Sequence, residues 1–191
     1  MPHRSGIGRG RACPARLLTF CFAAAAALAE EGILRPTDKS VIKAGPLSVV
    51  ASGTGELRLD GKTVTVSRPA AGVVTAHVNP SPGMHELTLG PKKTQFFMGP
   101  NPPQGWKEFR PHPPAAACDS CHTAASGTWA IKGDLAGENC FRCHDQKVFP
   151  KPHQHNSEVL AECQLCHNPH GSTEKFHLKM AKETACKQCH G

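Results

Sequence analysis

The 191 residues include no tyrosine, and aromatic residues make up only 5% of the chain. Aromatics supply much of the area that small domains bury. A chain so poor in them, with 18 glycines and 17 prolines, has little from which to build a large core. Without a cofactor the C-terminal half cannot bury enough apolar surface to offset its chain entropy. After residue 29 no apolar run approaches the roughly twenty residues that a bilayer span needs. No basic stripe with interleaved aromatics occurs either, so a formal net charge of +7 is no argument for nucleic acid. Spare cysteine is also lacking. Of ten cysteines, Cys13 and Cys21 lie near the N-terminus and the other eight fall in one repeated motif, which leaves none for a disulfide or a catalytic thiol.

That motif is present four times: Cys118-Asp-Ser-Cys121-His122, Cys140-Phe-Arg-Cys143-His144, Cys163-Gln-Leu-Cys166-His167 and Cys186-Lys-Gln-Cys189-His190. Each is Cys-x-x-Cys-His, the attachment signature of c-type haem. Two cysteines three apart share one side of a helical turn, so both sulfurs reach the vinyl groups of one porphyrin. The next histidine then lies under the ring as the proximal iron ligand. Paired cysteines also build zinc sites, but zinc would not require a histidine directly after all four pairs. A disulfide framework is the other rival. The expected cofactors are therefore four c-type haems. Covalent attachment is expected at Cys118, Cys121, Cys140, Cys143, Cys163, Cys166, Cys186 and Cys189, with proximal ligation by His122, His144, His167 and His190. Eight ionised propionates would reverse the charge: residues 1–29 carry four arginines and no acid, so the remaining +3 becomes about −5.

Residues 1–29 read as a secretory signal peptide. An arginine-rich start leads into an apolar run from Leu17, and Ala27-Leu28-Ala29 is a small-x-small cleavage pattern. The run is short for a membrane anchor, and Phe20 before Cys21 argues against a lipoprotein site. Export suits the cofactor, because bacteria attach haem covalently outside the cytoplasm.

Residues 30–98 alternate apolar and polar positions with period two. Strands are expected at 47–52, 56–60, 63–67, 73–78, 85–89 and 93–97, with a tight hairpin at Asp60-Gly61 and a wider loop over 79–83. The expected fold is a small, immunoglobulin-like β-sandwich. No catalytic constellation is visible in it, and His77 and His85 are expected on strand surfaces. A Pro/Gly-rich linker follows at 99–111, in which Trp106 to Phe109 should pack on a haem edge or on the sandwich. Residues 112–191 form the haem region, with little regular structure, short helical turns at the motifs and one longer helix near 176–184. It divides into two motif pairs, 112–150 and 151–191.

The pairing of motifs, the preceding His112-Pro113-Pro114 and the run Cys166-His-Asn-Pro-His170-Gly171 resemble the doubled-CXXCH family of multihaem cytochromes c over about residues 109–191. The resemblance implies closely stacked covalent haems with two axial histidines that pass electrons between proteins. On it, His170 and His112 are distal-ligand candidates. His153 and His155 hold the corresponding place before the second pair, and His177 is in reserve. The first-half position matching His170 is Ala125, so one haem must find its ligand elsewhere. Met84, Met98 and Met180 are discounted, since methionine more often fills cores. With both axial positions filled, iron cannot bind small substrates. The expected function is an exported, low-potential electron carrier, periplasmic or at the cell surface, that serves other redox proteins in respiration. The alternatives are a subunit of an extracellular cytochrome filament or respiratory complex, and a multihaem reductase. A reductase would keep one haem open, often marked by a changed proximal residue, whereas all four motifs here end in histidine.

Overall fold

A computed structural model describes residues 31–112, 118–125, 128–132, 136–144 and 162–190. The signal segment 1–29 lies outside these residues. The regular elements of residues 31–112 are all strands: β1 (Gly32–Arg35), β2 (Ser40–Ile42), β3 (Leu47–Ser52), β4 (Leu57–Leu59), β5 (Lys62–Thr63), β6 (Val73–Val78), β7 (Gly83–Leu89), β8 (Lys92–Met98) and β9 (Lys107–Glu108). They form two sheets, ordered β1-β3-β6 and β5-β4-β7-β8-β2-β9. Alternation decides which side chains turn inward. Leu47, Val49 and Ala51 of β3 and Val74 and Ala76 of β6 meet Leu57, Leu87, Leu89, Phe96 and Met98 of the larger sheet in one core. Each fully buried Leu, Val or Phe among them contributes about 2 kcal/mol.

Three expected strands are found nearly as read, at 47–52, 73–78 and 92–98. Two others begin elsewhere: β7 starts at Gly83, and the strand expected over 56–60 is Leu57–Leu59. The strand expected over 63–67 is largely absent. Val64 still donates to the Leu57 carbonyl in one sheet, whereas Ser67 bridges Thr75 in the other. The intervening residues thus carry the chain from sheet to sheet. The Asp60-Gly61 hairpin is present, with φ of 51° and 76°, the positive pair that a tight two-residue hairpin demands. Three short strands had no local signal. β2 runs parallel to both β8 and β9, and β9 lies within the Pro/Gly-rich stretch.

Asp60 also supports the neighbouring strand. Its Oδ1 accepts the Glu86 N–H at 2.9 Å, and its Oδ2 lies 2.7 Å from His85 Nδ1. His85 Nε2 donates to the Ser81 carbonyl at 2.7 Å, and its side chain is only 8% exposed. The expectation of a surface His85 is thereby corrected: the ring locks the turn, and both nitrogens are engaged. His77 lies beside Ser48 on exposed strand surface, as expected. Partial burial pushes the Asp60 carboxyl up, but the Glu86 N–H, His85 and Lys62 together pull it below its ordinary value. A carboxylate held low in the folded state stabilises above its unfolded value of about 3.9, and that contribution is lost as pH falls through the folded value. Asp60→Asn should cost about 1 kcal/mol at pH 7. In paired thermal melts, the gap between variant and parent should narrow below about pH 4.

Candidate haem centre

The four motifs share a local geometry with one exception. In the second, third and fourth, the histidine N–H donates to the carbonyl of the first cysteine: His144 to Cys140 (3.0 Å), His167 to Cys163 (2.9 Å) and His190 to Cys186 (3.0 Å). This is one helical turn, the shape that puts both sulfurs on one side. It belongs to helix Ala136–Phe141, the 3-10 turn Cys163–Leu165 and helix Lys182–Lys187. The first motif has a 3-10 turn over Cys118–Ser120, but its His122 opens a strand, β10 (His122–Ala125), paired with β11 (Thr128–Ile131). Helical turns at the motifs were expected, and this hairpin was not. The longer helix expected near 176–184 is also absent. Phe176 and His177 take left-handed φ of 58° and 55°, which breaks the turn Lys175–His177, and the next helix begins only at Lys182.

The motifs pack together. Just before the second, Asn139 Nδ2 donates to the Cys121 carbonyl, and within it Arg142 Nη1 donates to that of Ser120. Helix Ala136–Phe141 lies against the turn Cys163–Leu165. Burial, then the neighbouring Cys163 thiol, pushes Cys140 up to about 11. Lys179 N–H donates to the Cys166 carbonyl, which ties the third motif to the approach to the fourth. His167 Nδ1 donates to the Phe176 carbonyl at 2.6 Å. A carbonyl only accepts, so Nδ1 carries a proton, which leaves Nε2 as the nitrogen that could face a metal.

Facing imidazoles are the main feature of the centre. The His122 and His170 rings have centres 6.3 Å apart and planes within 1° of parallel. His112 and His144 are 6.0 Å apart at 42°, and His112 and His177 are 5.6 Å apart at 74°. Two imidazoles on opposite sides of one metal have ring centres about 6 Å apart, from two bonds of about 2 Å and about 1 Å from ring centre to each nitrogen. The first two separations fit that arrangement. Burial, ahead of nearby His122, Arg35 and His112, lowers the His170 ring to about 4. Burial is also the leading cause of lowered values at His112, His122 and His177. All four rings are therefore neutral at pH 7, the form that offers a lone pair to iron.

A backbone seam aligns two of these histidines. Arg110 and Ser172 exchange both hydrogen bonds, at 2.9 and 3.0 Å, as an isolated antiparallel bridge. His112 stands two residues beyond Arg110, and His170 two before Ser172. Phe109, 7% exposed, anchors the seam to the β unit through its N–H to the Val41 carbonyl, and Lys107 Nζ pairs with Glu174. Gly171, at φ 119°, makes the crossing possible. A Cβ there would lie 2.6 Å from Phe109 Cζ and 2.7 Å from the Arg110 carbonyl.

The structure thus brings His112 and His170 to the motif histidines His144 and His122, and His177 joins His112. His153 and His155 lie outside the described residues. Met98 is in the β core, Met84 is half exposed on β7 and the Met180 sulfur accepts from Gln188 Nε2. Sequence reading missed the Phe176 carbonyl and the seam, because neither a backbone acceptor nor a two-residue bridge leaves a side-chain signature.

Residues 151–191, which hold the third and fourth motifs, match the family model described as the doubled CXXCH motif. The match supports a multihaem c-type cytochrome, and its motifs indicate c-type haem binding and point to electron transfer. A search of curated proteins finds no match. One solved structure, described as an IG27 protein domain, aligns at 10% identity and a TM-score of 0.23, over 38% of this chain and 95% of that one.

Gly171→Ala tests the seam. The displaced backbone should move His170 from His122, seen as new high-spin iron in the absorption and paramagnetic resonance spectra of the haem-loaded protein. Gly105→Ala, also at positive φ but with nothing within 4 Å of its Cβ, should leave those spectra unchanged.

Proposed function

We propose that the mature chain is an exported tetrahaem cytochrome c that carries electrons between redox proteins. The facing pair His122 and His170, at the separation of two ligands on one iron, carries the reading. In it, the eight motif cysteines hold the haems and His122, His144, His167 and His190 are proximal ligands. His170 completes the first site and His112 the second. His153 and His155 serve the remaining two, with His177 in reserve. Bound haem supplies an iron that gains or loses one electron.

The chain's own residues do the rest. Two neutral imidazoles on each iron exclude small substrates, which makes the protein a carrier and not an enzyme. The Phe176 carbonyl orients His167 and, through its hydrogen bond, raises the basicity of that ligand. The contacts among the first three motifs hold the sites close together, so electrons pass without a conformational change. The β unit, read as an immunoglobulin-like sandwich over 30–98, is joined through 99–111 to the haem region 112–191. No helix among the described residues is long and apolar enough to cross a membrane. Multihaem c-type cytochromes are typically exported, and cleavage after Ala29 would release this one to the periplasm or the cell surface.

The chain should be expressed with its first 29 residues in a host that matures c-type cytochromes. Intact mass and the pyridine haemochrome should give four covalent haems per chain and loss of residues 1–29, with low-spin spectra throughout. His170→Ala should open one iron in four to carbon monoxide. Ready carbon monoxide binding by the unaltered protein, or a colourless product, would sink the proposal. Size-exclusion chromatography of the same sample separates a lone carrier from a filament subunit.

A further inference from the structure

Arg35 is a buried charge in need of an anion. The residue is 8% exposed, its Nε is buried without a hydrogen-bond partner, and no carboxylate pairs with it among the described residues. A guanidinium N–H out of water and unpaired is costly, and an oxyanion at the site would relieve it. Its position is built. β1 shifts register between Ile33 and Arg35, so that Arg35 pairs with half-buried Val50 and not with Val49 of the core. Such a bulge re-aims a side chain. The guanidinium carbon lies 5.9 Å from the centre of the Phe109 ring, and the tip of that ring touches the space beside Gly171, next to His170. The Arg35 charge reaches the His170 ring itself.

We propose that Arg35 binds a propionate carboxylate of the haem held between His122 and His170. The planar fork of guanidinium matches a carboxylate through two parallel hydrogen bonds, and stacking on Phe109 holds its plane. The β unit would then contribute directly to a haem site, as a cation that neutralises the cofactor's own charge beside the iron. That cation favours the reduced iron, which carries one positive charge fewer, so it raises the potential of this haem above the value that two histidines alone would set. The inference rests on the proposed function above, since it needs haem at this site.

The test uses the haem-loaded, full-length protein. Arg35→Gln should move one step of a spectroelectrochemical titration to lower potential by about tenfold in its equilibrium constant, about 59 mV for one electron. The other steps should move much less. Arg35→Lys, which keeps the charge and loses the fork, should hold that potential near the parent's value. In both variants the propionate bending band in the resonance Raman spectrum should move. Unmoved potentials and an unmoved propionate band, in a protein with its full haem content, overturn the assignment. If Arg35→Gln does not accumulate, the Raman band of Arg35→Lys decides alone: a shift supports the pairing, and no shift overturns it. An unaltered protein without covalent haem would instead refute the functional reading, so the two failures are distinguishable.

Discussion

Two backbone hydrogen bonds between Arg110 and Ser172 fix the relation between the β unit and the histidines. The bridge is short, yet both of its sides are anchored. On one side the Phe109 N–H reaches β2 and its ring is buried. On the other, Ser172 Oγ donates to the Leu178 carbonyl and accepts the Glu174 N–H. His112 and His170 each lie two residues from the bridge, and Gly171, at φ 119°, turns the chain between Ser172 and His170. The position of this bridge therefore bears on where both histidines sit. The lack of a Cβ at Gly171 allows the bridge to close at van der Waals distance from Phe109.

This dependence follows from how little else holds the haem region together. From residue 118 on, the only fully buried positions among the described residues are Gly171 and Ser172, neither of which brings much apolar area. The helices there, among the described residues, are six residues or fewer, far below the length at which a helix is stable by itself. The β unit, in contrast, has ten buried apolar side chains in one cluster. Buried apolar area is thus unevenly spread: one part has a core of its own, and the described residues of the other do not. Covalent attachment suits such a region, because thioether bonds keep the apolar bulk with the chain when the fold is loose.

What was legible in the sequence was local. Period-two alternation gave β3, β6 and β8, and Asp-Gly gave its hairpin, because side-chain spacing and positive φ are properties of adjacent residues. Cys-x-x-Cys-His gave the helical turns for the same reason. The parallel pairing of β2 with β8 and β9 joins residues more than fifty positions apart, and a three-residue strand such as Ser40–Ile42 is too short to show a period. His85 shares the face of Leu87 and Leu89 at the end of β7, and its polar ring there is what suggests a surface position. The turn at Ser81 and the Asp60 carboxylate then close over it, and neither contact can be inferred from alternation.

The first motif shows how a local departure and a long-range contact belong together. Ala125 stands where the repeat would put a second histidine, and in that half the chain leaves the motif as a strand instead of finishing the helical turn. The carbonyls of Ser120 and Cys121 do not continue a helix. Arg142 of the second motif, Asn139 just before it and the Lys132 N–H take them up instead. The backbone freed from the turn pairs with Thr128–Ile131, and His122 meets a ring from the opposite half of the repeat, His170. A duplicated region whose halves each supplied their own second imidazole would need no contact between them. Here the two halves meet at His122 and His170, and the seam at Arg110 and Ser172 lies two residues from the second of these.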